Sequence, residues 1–353
     1  MTTEEEARNA LSKILDAGSK KNLIDLGWIK NVRVKLPRSI ITLALPSYAN
    51  SQRDRIVNES RNTLLNFPDI EDVQIELETN TNKPDSQIGD QSQQLEKIKG
   101  IKHIIAVSSG KGGVGKSTIA VNIACSLSKL GVKTGLLDAD IYGPNTPFML
   151  GVEDENPKVN GSGDQQRLIP IKKFGISLVS MGFLIEEGQP VIWRGPMLNS
   201  IIRQFLYQVE WEDLDFLVID LPPGTGDAQI SIAQSVPISG VIIVTTPQMV
   251  SLQDSRRGLA MFKQLGVPIM GIVENMSSFV PPDQPQKSYE IFGKGGGKIL
   301  SNENNLPLLA QIPIEMPVVS QSNRGIPIAF DESKTISARK FEELAQIIKS
   351  KFD

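Results

Sequence analysis

The residues with the most capacity for chemistry lie in one run, 104–118, reading IIAVSSGKGGVGKST. Gly110, Gly112, Gly113 and Gly115 form a glycine-dense loop around Lys111 and Val114, and Lys116, Ser117 and Thr118 close it. The spacing is G-x-x-x-x-G-K-[ST], with an apolar strand-like run before it and helical spacing after it. Glycines let the backbone curl so that successive N–H groups point at phosphate oxygens. A helix starting beside them adds the partial positive charge of its N-terminus. Lys116 is expected to reach the β- and γ-phosphates of a nucleoside triphosphate, and Ser117 to place its hydroxyl on Mg²⁺.

Two more apolar runs deliver carboxylates. Residues 134–137 lead into Asp138-Ala-Asp140-Ile-Tyr-Gly-Pro-Asn145, and 217–219 lead into Asp220-Leu-Pro-Pro-Gly224-Thr-Gly-Asp227. A carboxylate just past a strand end lies where ligands collect in open α/β sheets. Asp220 suits the position that holds Mg²⁺, usually through water. Gly224 could present its N–H to the γ-phosphate, and Pro222-Pro223 stiffens the approach, so that two nucleotide states would be read as two loop arrangements. Residues 269–273 lead to Glu274-Asn275-Met276, where an amide can both donate to and accept from a base edge.

These groups need a scaffold that brings several strand ends together. From 101 onward, strand and helix signals alternate, which predicts an α/β fold, a doubly wound and mostly parallel sheet. Ile119, Ile123, Leu127 and Leu130 make one helix face ending near Gly131. Before that, Ala7, Leu11 and Ile14 have helical spacing. Val32, Val34 and Leu36, then Ile41, Leu43 and Leu45, alternate on either side of a Pro37-Arg38-Ser39 turn. A helix over about 51–65 and a strand at Val73, Ile75 and Leu77 complete an α-β-β-α-β order, a small α+β domain. The expected division is an accessory domain at 1–78, a polar linker at 79–100 and the nucleotide domain at 101–353. A last helix over 333–351, striped by Phe341, Leu344 and Ile348, is expected to dock on the sheet and not on a membrane.

The bulk numbers narrow the function classes. A chain of 353 residues suggests two domains, and 40% hydrophobic content supports sizeable cores. No apolar run reaches the ~18 residues that span a bilayer, and the acidic start MTTEEEARNA is unlike a leader peptide. A cytoplasmic location is therefore expected. A net charge of −3 argues against a dedicated nucleic-acid binder. Cys125 is the only cysteine, which excludes an intrachain disulfide, and is expected to be a packed apolar residue. His103, the only histidine, makes no metal site or triad.

Lys111 gives the loop the form K-G-G-V-G-K-S-T, which resembles the deviant Walker A signature of the nitrogenase iron protein and the ParA- and MinD-type ATPases. DADIYGPN and DLPPGTGD resemble the switch regions of the Mrp/ApbC branch. NLIDLG, GWIKNVRV and ALPSYANSQRDRI resemble its MIP18-like N-terminal domain. The resemblance implies a homodimeric, Mg²⁺-dependent ATPase, with Lys111 crossing the interface to the partner's nucleotide. It also implies that Asp140 orients or deprotonates the attacking water, that Asp138 organises the water shell of the metal, and that Asn275 reads adenine. The family is that of iron–sulfur cluster carriers, which implies a [4Fe–4S] cargo and apoprotein recipients or assembly factors as partners, with no nucleic acid and no membrane.

One departure matters. Relatives carry Cys-x-x-Cys after the ENMS element. Here the stretch reads SSFVPPDQPQKSYEIFG, with Pro281 and Gln284 at roughly those places, and 44–52 also lacks a cysteine that many relatives have. Two further readings follow: a nucleotide-gated interaction switch with no cluster of its own, and a positioning ATPase like ParA or MinD.

Overall fold

The computed structural model describes residues 2–15, 22–43, 53–77, 98–141, 143–161, 166–184, 201–202, 204–284, 286–331 and 335–352. The polar stretch 79–97, the junction 44–52 and Tyr142 lie outside the described residues. The chain forms two compact units, Met1–Gln91 and Ser92–Asp353.

In the first unit, helix α1 (Glu4–Leu11) starts at Thr3, whose hydroxyl accepts from the Glu6 N–H while the Glu6 carboxylate accepts from the Thr3 N–H. This reciprocal cap satisfies two main-chain donors that the helix start would otherwise leave free. Strands β1 (Ile29–Lys35) and β2 (Arg38–Leu43) pair antiparallel, and β3 (Asp72–Leu77), reached through helix α2 (Arg53–Leu65), pairs parallel to β2. Val32, Ile41, Leu43 and Val73 pack with Ala7, Leu11, Ile56 and Leu64 from the two helices. Leu36 does not continue the inward alternation. The strand stops at Lys35, and Leu36 sits in the turn, 37% exposed, where Pro37 has no N–H for the ladder.

The second unit is an eight-stranded sheet in the order β13-β12-β11-β4-β10-β5-β9-β8. Its members are β4 (Ile101–Ser109), β5 (Thr134–Asp138), β8 (Ile171–Lys173), β9 (Ile176–Ser180), β10 (Leu214–Asp220), β11 (Gly240–Thr245), β12 (Ile269–Phe279) and β13 (Leu308–Ile314). Every pairing is parallel except that of β8 with β9. Outside the sheet, β6 (Lys158–Asn160) and β7 (Arg167–Ile169) form a small antiparallel pair.

Each central strand feeds two cores. Ile105 and Val107, Phe216 and Val218, and Ile242 and Val244 face one layer of helices. Ile104 and Ala106, Leu217 and Ile219, and Val241 and Ile243 face the other. A strand covered on both faces has to be apolar throughout, which is why these runs do not alternate in polarity. From β4 the chain crosses to β5 and β9, returns through β10, and then leaves for β11 to β13 on the opposite side. That reversal opens a crevice at the carboxyl ends of β4 and its neighbours, the place where such sheets bind ligands.

Helix α3 (Lys116–Lys129) follows β4 and is buried along most of its length, from Ile119 to Leu127. The last helix (Ile336–Ser350) lies against α3 and β13 and buries Phe341, Leu344, Ala345 and Ile348 completely. Among the described residues no helix is long and apolar enough to cross a membrane. Replacing Phe341 by Ala would empty a fully enclosed ring site in this core. The expected loss is about 3–5 kcal/mol of unfolding free energy, measured by urea denaturation.

Candidate active site

The β4 run ends at Ser109, and the glycine loop turns into α3 at its carboxyl end. Two glycines are required by close approach. A Cβ on Gly110 would overlap the main chain of Asp254. Gly115 has φ +82°, and a Cβ there would run into the Asn275 amide. Gly115 stands at the N-cap of α3 and offers no side-chain acceptor. Among the described residues, no protein acceptor takes the main-chain N–H groups from Gly112 to Thr118. A curled row of free N–H donors at a helix start is an anion cradle.

Lys116 is 5% exposed. Its Nζ donates to Asp220 Oδ1 at 2.6 Å, lies 3.4 Å from Asp140 Oδ2, and is 3.4 Å from Ser117 Oγ. Three segments far apart in sequence thus converge on one ammonium group: the start of α3, the loop after β5 and the end of β10. Asp220 is wholly buried, and its Oδ2 has no hydrogen-bond partner. Burial pushes its carboxyl above the usual range, and the Lys116 ammonium pulls it back. Asp138 is also wholly buried, and burial followed by the Asp220 charge raises its carboxyl too.

Both Asp138 oxygens are already engaged by protein donors. Oδ1 accepts from the Asp140 N–H at 3.1 Å. Oδ2 accepts from the Thr146 N–H at 3.2 Å, Thr146 Oγ1 at 2.8 Å and Ser180 Oγ at 2.9 Å. Its visible work is to shape the loop that carries Asp140 toward Lys116, whereas the resemblance placed it at the water shell of a metal.

Two expectations meet a different geometry. The Gly224 N–H donates to the Ser109 carbonyl at 3.0 Å, so a γ-phosphate would have to displace that bond. Asn275 lies inside β12, which continues to Phe279 and bridges Tyr289, so it does not stand just past a strand end. Its Nδ2 donates to the Val114 carbonyl at 2.9 Å and so braces the phosphate loop. Next to it, the buried Glu274 accepts from the Gly297 N–H and, at 2.7 Å, from Gln311 Nε2, which anchors the helix Gly296–Asn304 to the strand. Lys111 is half-buried at the loop's edge and makes no ion pair among the described residues; Ser109 Oγ donates to its carbonyl at 2.8 Å.

Residues 100–349 match the ParA family of NUBPL iron-transfer P-loop NTPases, and residues 4–77 match an iron-sulfur cluster assembly protein family. The chain belongs to the NUBPL iron-transfer P-loop NTPases. It is 46% identical to an iron-sulfur cluster carrier protein of Synechocystis over 99% of this chain and 98% of that one. A nucleotide-binding protein of Archaeoglobus fulgidus, solved in complex with ADP, is 35% identical and superposes with a TM-score of 0.57 over 65% of this chain and 88% of that one. The cell division ATPase MinD of Pyrococcus furiosus shares the fold at 21% identity, with a TM-score of 0.51 over 70% of this chain and 98% of that one.

Membership makes this chain an ATP hydrolase, and the donor set fits Mg²⁺. Asp220 holds a buried oxygen without a hydrogen-bond partner, and Ser117 offers a hydroxyl at the same lysine. Mg²⁺ prefers such hard oxygens and usually takes only one or two carboxylates from the protein. The donor set does not fit an iron–sulfur cluster, which needs thiolates. Cys125 is 0% exposed within α3, and burial pushes its thiol well above its ordinary value. At 277–290, Phe279 and Tyr289 exchange two main-chain hydrogen bonds of 2.8 Å across a turn with no sulfur in it.

Sequence reading overlooked Thr146, Ser180, Ser108 and Gln229, all buried polar groups that hold the site's loops. None of the four left a distinct signal: Gln229, for one, shares the stretch AQISIAQS with a second amide at Gln234 and with Ser231 and Ser235. Gly115→Ala should impose about 1–2 kcal/mol of left-handed strain as well as the clash with Asn275. Its ADP affinity, measured by calorimetry, should fall at least about tenfold.

Proposed function

We propose that this chain is a homodimeric, Mg²⁺-dependent ATPase that drives the transfer of iron–sulfur clusters to apoproteins. The observation that carries the reading is the convergence of Lys116, Asp140 and Asp220 beneath a loop of free N–H donors. The carrier name of a full-length relative supports the cargo, and the ADP in the Archaeoglobus protein supports the nucleotide. The glycine loop from Gly110 to Thr118 binds the phosphates through main-chain N–H groups. Lys116 exchanges its carboxylate partners for phosphate oxygen and neutralises charge that develops in the transition state. Ser117 and Asp220 would hold Mg²⁺, which when bound offsets charge on the phosphates.

Asp140 orients the attacking water from a loop fixed by Asp138, whose own part is anchoring. Asn275 holds Val114, and its remaining amide valences face the base. Lys111, unpaired among the described residues, reaches the nucleotide of the second copy. Gly224 leaves Ser109 when a γ-phosphate is present, which makes the loop after Asp220 a reporter of nucleotide state.

The cargo's ligands come from elsewhere. With one buried cysteine per chain, a dimer supplies no accessible thiolate, so the cluster stays on cysteines of the donor or recipient protein while nucleotide state sets docking and release. This also gives the interaction switch its place in the mechanism.

Lys116→Ala should abolish hydrolysis, and near-normal turnover by that variant would refute the site. Lys111→Ala should lower kcat at least about tenfold while ADP affinity stays close to wild type; a collapse in binding alone would remove the cross-subunit role. Anaerobic incubation of the chain with iron and sulfide should leave no stable thiolate-to-iron absorbance after desalting. A stable absorbance that disappears in Cys125→Ser would overturn the ligand-free reading.

A further inference from the structure

Gln229 lies in the helix Asp227–Ser235, 1% exposed, and the phosphate chemistry described above makes no use of it. Its Nε2 donates to Ser108 Oγ at 3.0 Å and also to the Pro222 carbonyl. These two acceptors belong to the two segments that bound the crevice. Ser108 stands two positions before Gly110, and Pro222 two positions after Asp220.

The main-chain ladder between those segments has a gap. Asp220 pairs with Val107, the Leu221 N–H donates to the Val107 carbonyl at 3.1 Å, and the Gly224 N–H donates to the Ser109 carbonyl at 3.0 Å. Pro222 and Pro223 have no N–H to contribute. The Gln229 side chain enters at this break and bridges the two segments from the side, donating to the Ser108 hydroxyl on one and to the Pro222 carbonyl on the other.

The orientation of the amide follows from chemistry. A carbonyl only accepts, so the nitrogen must face Pro222 and the oxygen must face away. That oxygen, Oε1, is buried without a partner. An unsatisfied buried acceptor is a cost to folding, and a side chain kept only for packing would have no need of it. What the amide provides here is its pair of donor bonds.

We propose that Gln229 is a positioning residue for ATP hydrolysis. It holds the Pro222 carbonyl against the end of β4 and keeps the segment from Pro222 to Gly224 in register with the phosphate loop. The proposal rests on the ATPase reading and deepens it, because it names the residue that couples the two loops flanking the nucleotide. Gln229 makes both of its side-chain hydrogen bonds to protein acceptors and so acts through the loop it holds. Its effect is therefore expected on the chemical step, with nucleotide binding left to the glycine loop.

The test compares the full chain with Gln229→Met, which keeps the shape and loses both donor bonds, and Gln229→Glu, which keeps the shape and turns an acceptor toward Pro222. Steady-state hydrolysis gives kcat and KM for ATP, calorimetry gives ADP affinity, and thermal melting checks the fold. Small misplacements of reacting groups cost up to about a hundredfold in rate. The expected result is a kcat reduced about ten- to a hundredfold in Gln229→Met and further in Gln229→Glu, with KM and ADP affinity within about twofold of wild type. Should Gln229→Met fail to fold, Gln229→Glu and Ser108→Ala, which removes one of the two acceptors, carry the test through the same split between kcat and KM. Unchanged kcat in the folded variants overturns the proposal, as does a loss that appears in ADP affinity to the same extent. Wild-type protein in the same assay keeps the two readings apart: an inert wild type overturns the ATPase reading and this one with it, whereas an active wild type with equally active variants overturns only this one.

Discussion

The buried contact between the Lys116 ammonium and the Asp220 carboxylate is the constraint around which the nucleotide unit is arranged. Neither group could be held in so dry a place alone, since an uncompensated buried charge is far costlier than a paired one. Their 2.6 Å contact ties the first residue of α3 to the last residue of β10, and Asp140 at 3.4 Å brings in the loop after β5. The acidic groups gathered here are what a divalent cation would offset. The pair thus joins two segments that border the crevice.

Much of the fold was legible because it rests on local periodicity. The runs ending at Asp138 and Asp220 read as strands with a carboxylate at the end, and β5 and β10 end on those residues. The glycine loop could be read because its requirement is local too: a left-handed Gly115 and a close approach at Gly110. Asn275 was harder. The polar residues after it look like a loop, but Ser277 and Ser278 stay extended because β12 runs on to meet Tyr289. What stayed hidden was tertiary. Thr146 and Ser180 reach Asp138 from 8 and 42 positions away, and Gln229 reaches Ser108 across 121. No pattern in a single sequence announces such partners, since a buried serine reads the same whether it packs or anchors.

The one cysteine of this chain is buried in α3 and presents no thiolate at the surface. In sequence, 281–285 reads PPDQP and contains no cysteine. The nucleotide machinery has no chemical need of sulfur, because everything it touches is oxygen or main-chain nitrogen. Cys125 sits close to that machinery in sequence, yet the packing of α3 makes it a small apolar residue.

At its distal end, α3 is fastened as well as packed. Lys129 Nζ donates to the Ala329 carbonyl, and Asn122 Oδ1 accepts from the Ala329 N–H at 2.9 Å. Both clasp the same short turn, Ile328–Phe330, from 200 and 207 positions away in the chain. A rod pinned at its far end cannot slide along its axis when its near end takes up an anion. The fastening opposes axial displacement of α3, and α3 is thereby a fixed frame for the phosphate loop at its start.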